Sequence, residues 1–170
     1  MRKSFKGYRN ENNNRLKHKQ MKTIILILAL ATTLQAQTHK EAFFFNNWLF
    51  CQYVEQEYKV PFEVVMAIAI QESGWGSSYA YKYCNNPLGL RRNGKPMRFK
   101  DKKACFDYFG KLLTTAYRYR NLKDCTHYRY YCIELSESGY NTNTLYAGKL
   151  IRIILDNDLD NFNYRKYLQD

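Results

Sequence analysis

Metal-binding patterns are missing from this sequence. It has only three histidines, no Cys-x-x-Cys pair, and no Cys/His cluster at zinc spacing. His39 and His127 are isolated, so no metal and no other cofactor is expected. Long apolar runs are also lacking. The longest stretch, Ile24 to Leu34, is broken by Thr32 and Thr33 and is too short for a membrane span. No cysteine follows it, which removes a lipid anchor at that point. There is no internal repeat and no sign of a second domain. Between Asn86 and Lys100 there is no Asp or Glu at all.

What the chain does have begins with a leader. Residues 22–36 combine a basic start, an apolar stretch and a small residue, Ala36, where a secretory signal peptide would be cut. Met21 is the expected translation start, residues 1–36 the leader, and 37–170 one mature domain. Cleavage changes the charge reading. Residues 1–36 carry eight basic side chains and one acidic one, so a net charge of +12 becomes +5. The remaining positive charge is concentrated in Arg91, Arg92, Lys95, Arg98, Lys100, Lys102 and Lys103, opposed locally by Asp101. Such a run suits either a solvated loop or an anionic polymer. Export to the periplasm or the cell exterior argues against nucleic acid. The five cysteines, Cys51, Cys84, Cys105, Cys125 and Cys132, are odd in number, so at least one thiol is unpaired within the chain. We expect Cys84 to pair with Cys105, Cys125 and Cys132 to stay apart, and Cys51 to be a buried free thiol.

Hydrophobic spacing predicts a helix over 41–58 with Phe44, Trp48, Cys51 and Val54 near one face. Pro61 opens a second helix over 61–73, whose run Val64 to Ile70 is apolar on every side, and Gly74 and Gly76 close it. Residues 79–100 read as turn-rich. Asn93-Gly94 signals a hairpin within about 88–99. Further helices are expected over 102–117, 124–137 and 144–157, the last capped by Thr142 or Asn143.

The chemically suggestive stretch is Gln71-Glu72-Ser73-Gly74-Trp75-Gly76-Ser77-Ser78. A carboxylate at the end of an apolar helix loses hydration, and burial raises its pKa. A carboxyl held protonated near neutral pH can protonate the leaving oxygen of a glycoside. The plain alternative is an ordinary glutamate at a helix end, satisfied by solvent.

This stretch resembles the signature of the bacterial glucosaminidase family, the endo-β-N-acetylglucosaminidase-like group that includes the peptidoglycan-cleaving domain of flagellar rod assembly proteins. The match runs through the apolar helix Val64–Ile70, the turn Glu72–Ser78, Asn85-Asn86-Pro87-Leu88-Gly89, a hairpin, more helices, then Gly139-Tyr140 and Tyr146-Ala147, about residues 55–158 in all. The resemblance implies an α+β fold, mostly α: a lysozyme-like helical domain with a small β-hairpin lobe. It implies a peptidoglycan hydrolase cleaving the β-1,4 bond after N-acetylglucosamine.

Carried over position by position, Glu72 is the general acid and Tyr146 the active-site tyrosine. Asn86, Gly89, Tyr140, Trp75 and Arg91 are candidate substrate-side residues. Asn86 and Gly89 can be turn formers only, Tyr140 can be packing only, and Trp75 reads better as a wedge under the acid than as a sugar platform. Many relatives place a second carboxylate in the β lobe. Here the nearest candidate is Asp101, and assistance by the substrate's N-acetyl group is the alternative. Peptidoglycan strands are the expected partner of a monomer without a membrane span after cleavage. A muramidase, a lytic transglycosylase and a non-catalytic wall-binding module are the competing readings.

Overall fold

The computed structural model of the protein describes residues 2–125 and 127–161, and within the first 36 residues it describes side chains only at 18, 21–26 and 35. Helix α1 spans Arg2–Tyr58. The chain divides into two compact units, Met1–Ala42 and Phe43–Asp170. Described residues of the first unit lie within α1. Among the described residues no helix is long and apolar enough to cross a membrane.

The second unit is built around a helix whose run Val64–Ile70 has no polar face. Helix α2 (Phe62–Ser73) buries Phe62, Val64 through Ile70 and Ser73. A helix apolar all round must be covered on all sides. Part of that cover is the last stretch of α1, which buries Phe43, Asn47, Trp48, Cys51 and Val54 at helical spacing. The buried face therefore starts at Phe43, one residue earlier than expected, while Phe44 is only partly covered. Asn47 is the polar member of the face, and its amide donates to Phe43 O at 2.6 Å.

The junction between these helices is tightly determined. Lys59 takes a left-handed φ of 58°, and Pro61, with ψ 132°, stands just before α2 rather than as its first residue. Proline cannot cap through its side chain. Glu55, one helix earlier, accepts from Phe62 N at 3.0 Å instead. Gly74 ends α2 in the left-handed conformation, as a C-terminal glycine does.

Helix α3 (Tyr79–Cys84) occupies a stretch read as turns. Ser78 caps its start by accepting from Tyr81 N, and Asn85 ends it in a left-handed conformation. The hairpin is shorter than expected. Only β1 (Arg91–Arg92) and β2 (Lys95–Pro96) form the antiparallel ladder, paired Arg91 to Pro96 and Arg92 to Lys95. Pro96 has no N–H to extend it, and neither strand is buried. Asn93 and Gly94 both have positive φ, 50° and 75°, as the tight hairpin turn requires.

Helix α4 (Lys102–Thr115) buries Cys105, Phe106, Phe109, Gly110 and Leu113. Gly110 is needed there because a Cβ would sit 2.1 Å from the Tyr58 ring. The same tyrosine donates to Asp107 Oδ1 at 2.6 Å, joined by Tyr53 at 2.8 Å and by Lys111 Nζ on Oδ2 at 2.8 Å. These bonds hold the Asp107 carboxyl well below the usual carboxylate range. A 3-10 segment, Tyr117–Asp124, then precedes α5 (Tyr128–Glu137), so the helix expected over 124–137 begins four residues late. Helix α6 (Tyr146–Asp156) buries Tyr146, Leu150 and Ile154, and packs with α5 against α2. Asn143 does contribute at its start, but one step early: its side chain accepts from Leu145 N and its carbonyl from Tyr146 N, both at 2.9 Å.

All five cysteines are free thiols, so the expected Cys84–Cys105 bridge is not formed. Cys84 ends α3, while the buried Cys105 thiol donates to Asn86 Oδ1 at 3.6 Å. Burial pushes the Cys105 and Cys132 thiols up to about 12, which leaves them protonated and unreactive at neutral pH. Cys51 is a buried free thiol, as expected, and Cys125 and Cys132 are not joined.

Candidate active site

The last turn of α2 delivers Glu72 to a cleft of about 230 Å³. The cleft is lined by Glu72, Gly89, Arg91, Arg118, Tyr119 and Tyr140, with Leu88, Leu90, Leu112 and Asn141 between them. Glu72 is half-buried, and burial pushes its carboxyl up. Two opposing effects limit the rise: a hydrogen bond from Tyr146 and the positive charge of Arg91. Among the described residues lining the cleft, Glu72 is the sole carboxylate.

Tyr146, the first residue of α6, lies far from Glu72 in sequence. Its hydroxyl donates to Glu72 Oε1 at 2.9 Å. The ring is 2% exposed and rests on Tyr140, centroids 5.9 Å apart. Tyr140 continues the aromatic wall to Phe109 and Tyr119. Both the carboxylate and the burial of the Tyr146 hydroxyl hold its pKa far above the ordinary phenol value, burial contributing most. This phenol is therefore a fixed donor that engages one carboxylate oxygen, Oε1, and not the other.

The other candidate residues divide by what they touch. Gly89, at φ +62°, packs directly on the acid: a Cβ there would lie 2.7 Å from Glu72 Oε2 and 2.8 Å from its Cβ. Tyr140 and Arg91 line the cleft. Asn86 does not reach it. It is fully buried and its polar atoms are committed, donating to Leu90 O (2.8 Å) and Met97 O (2.9 Å) and accepting from Leu90 N (2.9 Å). A direct contact with substrate is thus replaced by a supporting role, in which Asn86 pins the base of the hairpin beneath the cleft. Trp75 is also absent from the cleft lining. Its ring packs edge-on against Phe43 at 5.6 Å.

Asp101 has a structural task of its own. It stands before α4 and accepts from Ala104 N at 2.7 Å. It is exposed and is not among the cleft-lining residues. Asparagine caps helices about as well as aspartate. Asp101→Asn is therefore expected to leave both folding and glycan cleavage within a few-fold of the parent, whereas Asp101→Ala loses about 1 kcal/mol of stability through the missing cap. Rates and thermal unfolding measured side by side check this. A folded but inactive Asp101→Asn protein would return the residue to the chemistry.

Arg118 and Tyr119, which spacing alone did not single out, form part of the wall. Both come from the 3-10 segment. The Arg118 guanidinium lies 4.6 Å from the Tyr119 ring centroid. The Tyr119 hydroxyl is buried with no hydrogen-bond partner among the described residues, an arrangement that costs about 1–3 kcal/mol in general. The available signal was the alternation of Tyr and Arg over 117–120, which gives a segment able to present both rings and cations.

A compact helical body that holds one carboxyl half out of water beside a two-stranded lobe is the architecture of a lysozyme-like glycoside hydrolase. The chain belongs to the glucosaminidase family, whose model, described as mannosyl-glycoprotein endo-beta-N-acetylglucosaminidase, matches residues 50–159. The fold is similar to the catalytic domain of the autolysin Auto from Listeria monocytogenes, with a TM-score of 0.64 and 20% identity over 74% of this chain and 88% of that one. It is similar to the glycoside hydrolase domain of FlgJ from Salmonella typhimurium, with a TM-score of 0.60 and 20% identity over 72% and 90%. A peptidoglycan hydrolase from Sphingomonas sp. A1 aligns with a TM-score of 0.55 and 25% identity over 66% and 86%. No curated protein matches the sequence.

Proposed function

We propose that the protein is an exported peptidoglycan hydrolase that cleaves the β-1,4 bond after N-acetylglucosamine, with Glu72 as the proton donor. The observation that carries this reading is the hydrogen bond from the buried Tyr146 to Glu72, whose carboxyl lines the cleft. A carboxyl raised by burial is engaged at one oxygen, Oε1, by a 2.9 Å hydrogen bond and not at the other. In the reaction, protonated Glu72 gives its proton to the glycosidic oxygen as the C1–O bond breaks. With no second carboxylate among the described cleft-lining residues, the acetamido oxygen of the same sugar closes on C1 from the opposite face. Water then opens that ring, and the Glu72 carboxylate takes up its proton. Glu72 thus serves as acid and then base.

Export rests on the pattern of residues 22–36. Cleavage after Ala36 would fall outside the compact unit Phe43–Asp170. A cell-wall zymogram of the secreted protein, followed by mass spectrometry of the products, tests the reading. Reducing-end N-acetylglucosamine supports it. Reducing-end muramic acid would make the protein a muramidase. Anhydromuramic ends would make it a lytic transglycosylase, which also needs only one acid. Absence of any clearing would leave a wall-binding module.

Tyr146→Phe separates orientation from proton affinity. The ring contact with Tyr140 is kept and only the donor to Oε1 is lost. That donor lowers the Glu72 pKa, so its removal raises the pKa further. Activity needs the protonated acid, and the basic limb of the pH–rate profile should therefore move to higher pH. The optimum rate should fall on the order of tenfold as the carboxyl loses its fixed orientation. An unmoved basic limb would detach Tyr146 from the acid.

A further inference from the structure

We propose that Arg91 and Arg118 form a carboxylate-recognition pair in the cleft, which selects a glycan bearing acidic substituents over a neutral one of the same backbone. The inference rests on the hydrolase reading above and names the substrate feature that reading leaves open. The two arginines reach the cleft from separate elements, Arg91 from β1 and Arg118 from the 3-10 segment. Neither makes an ion pair among the described residues; those present join Lys111 to Asp107 and Arg152 to Asp156. Arg91 donates only to a backbone carbonyl, Gly94 O, which anchors the side chain without neutralising it. Arg118 is exposed and stacked on Tyr119, which orders it without neutralising it. The cleft lining thus holds two guanidinium charges against a single carboxyl, Glu72, that burial tends to keep protonated.

A neutral sugar polymer offers the two guanidinium groups hydroxyl and amide oxygens as acceptors but no opposing charge. A carboxylate offers each of them charge-assisted hydrogen bonds in a matched planar geometry. Strands of alternating N-acetylglucosamine and muramic acid carry such a group on the lactyl ether, or on the stem peptide attached to it, beside the bond to be cut.

The test is a binding measurement on the full chain carrying Glu72→Gln, so that the strand is not consumed. The probes are purified wall glycan and the same glycan with its carboxylates converted to amides. The expected result is affinity for the native strand on the order of tenfold above that for the amidated one. The preference should fall to near unity in Arg118→Ala, and Arg118→Lys should restore only part of it. Arg92→Ala is the control, since Arg92 is exposed, outside the cleft lining, and alternates to the other side of the ribbon. Equal affinity for the two strands overturns the proposal. Loss of preference in Arg92→Ala but not in Arg118→Ala also overturns it, by assigning recognition to the diffuse basic run. A protein with the carboxylate preference but no cleavage in its Glu72 form would defeat the hydrolase reading and leave this one standing.

Discussion

Glu72→Gln is expected to give a folded protein that no longer clears cell wall, with hydrolysis reduced by about 10²–10⁴-fold. The replacement has nearly the same shape, and its side-chain oxygen can still accept from the Tyr146 hydroxyl, so the 2.9 Å bond that ties α2 to α6 has a successor. What is lost is the transferable proton, because an amide does not titrate in this range. The same change should not cost stability at neutral pH. Burial raises the folded-state pKa of Glu72. The unfolded value is about 4.3. A carboxyl with a raised folded-state pKa contributes stability fully only below the unfolded pKa, and that contribution is lost as pH rises through the folded value. The glutamine variant has no such loss. Its Tm should equal or exceed that of the parent at pH 7, and the advantage should shrink as pH falls toward 4. Zymograms, turbidity rates and thermal unfolding across pH check both halves. Wild-type clearing by a folded Glu72→Gln protein would remove the residue from the mechanism.

The parts of the domain that were legible in the sequence are those where local chemistry and tertiary packing agree. The run Val64–Ile70 has no polar face and by length alone could be a buried strand, but Met66, its alanines and the Pro61 start favour a covered helix, and Gly74 has no Cβ to oppose the left-handed turn that ends it. Asn93-Gly94 likewise specifies its own turn. Helix α3 was missed because Tyr and Lys in a stretch dense with turn residues carry no clear period. Its boundary residues, Ser78 and Asn85, were the better signal. At the site, Glu72 and Gly89 were legible because each sits in a short motif. Tyr146 was placed by family resemblance, and no local pattern brings it to Glu72 across 74 residues. Asn86 and Trp75 belong to the same motif but face inward. A motif records which residues a fold needs and does not distinguish those that line a cleft from those that support it. Arg118 and Tyr119 lie outside the motif, on a 3-10 segment that periodicity could not locate. The cysteine expectation failed for a related reason: separation in sequence says how large a loop a bridge would close, but not where Cys105 directs its thiol.

Gly89→Ala should abolish most activity, while Gly94→Ala, a glycine of the same hairpin lobe, should not. Both residues have positive φ, +62° and +75°. Both substitutions therefore incur the left-handed penalty of about 1–2 kcal/mol that a Cβ brings. They differ in what the new methyl meets. At Gly94 there is nothing within 4 Å. At Gly89 it would lie 2.7 Å from Glu72 Oε2, 2.8 Å from Glu72 Cβ and 3.1 Å from Cγ. Rotating the carboxyl away relieves the first contact only. The Cβ is fixed by the backbone of α2, so either the 86–90 loop retreats or the end of the helix shifts. Each response disturbs the alignment of the acid with Tyr146, and a displacement of about 1 Å in a reacting group is enough to cost on the order of 10²-fold. Gly89→Ala should therefore lose more Tm than Gly94→Ala, because its clash adds to the shared left-handed penalty, and the two should differ in kcat on the order of 10²-fold, with the Glu72-dependent basic limb displaced only in Gly89→Ala. Matched thermal unfolding and pH–rate profiles decide the matter. Equal activities in the two variants would mean that the close approach of Gly89 to the acid has no catalytic consequence.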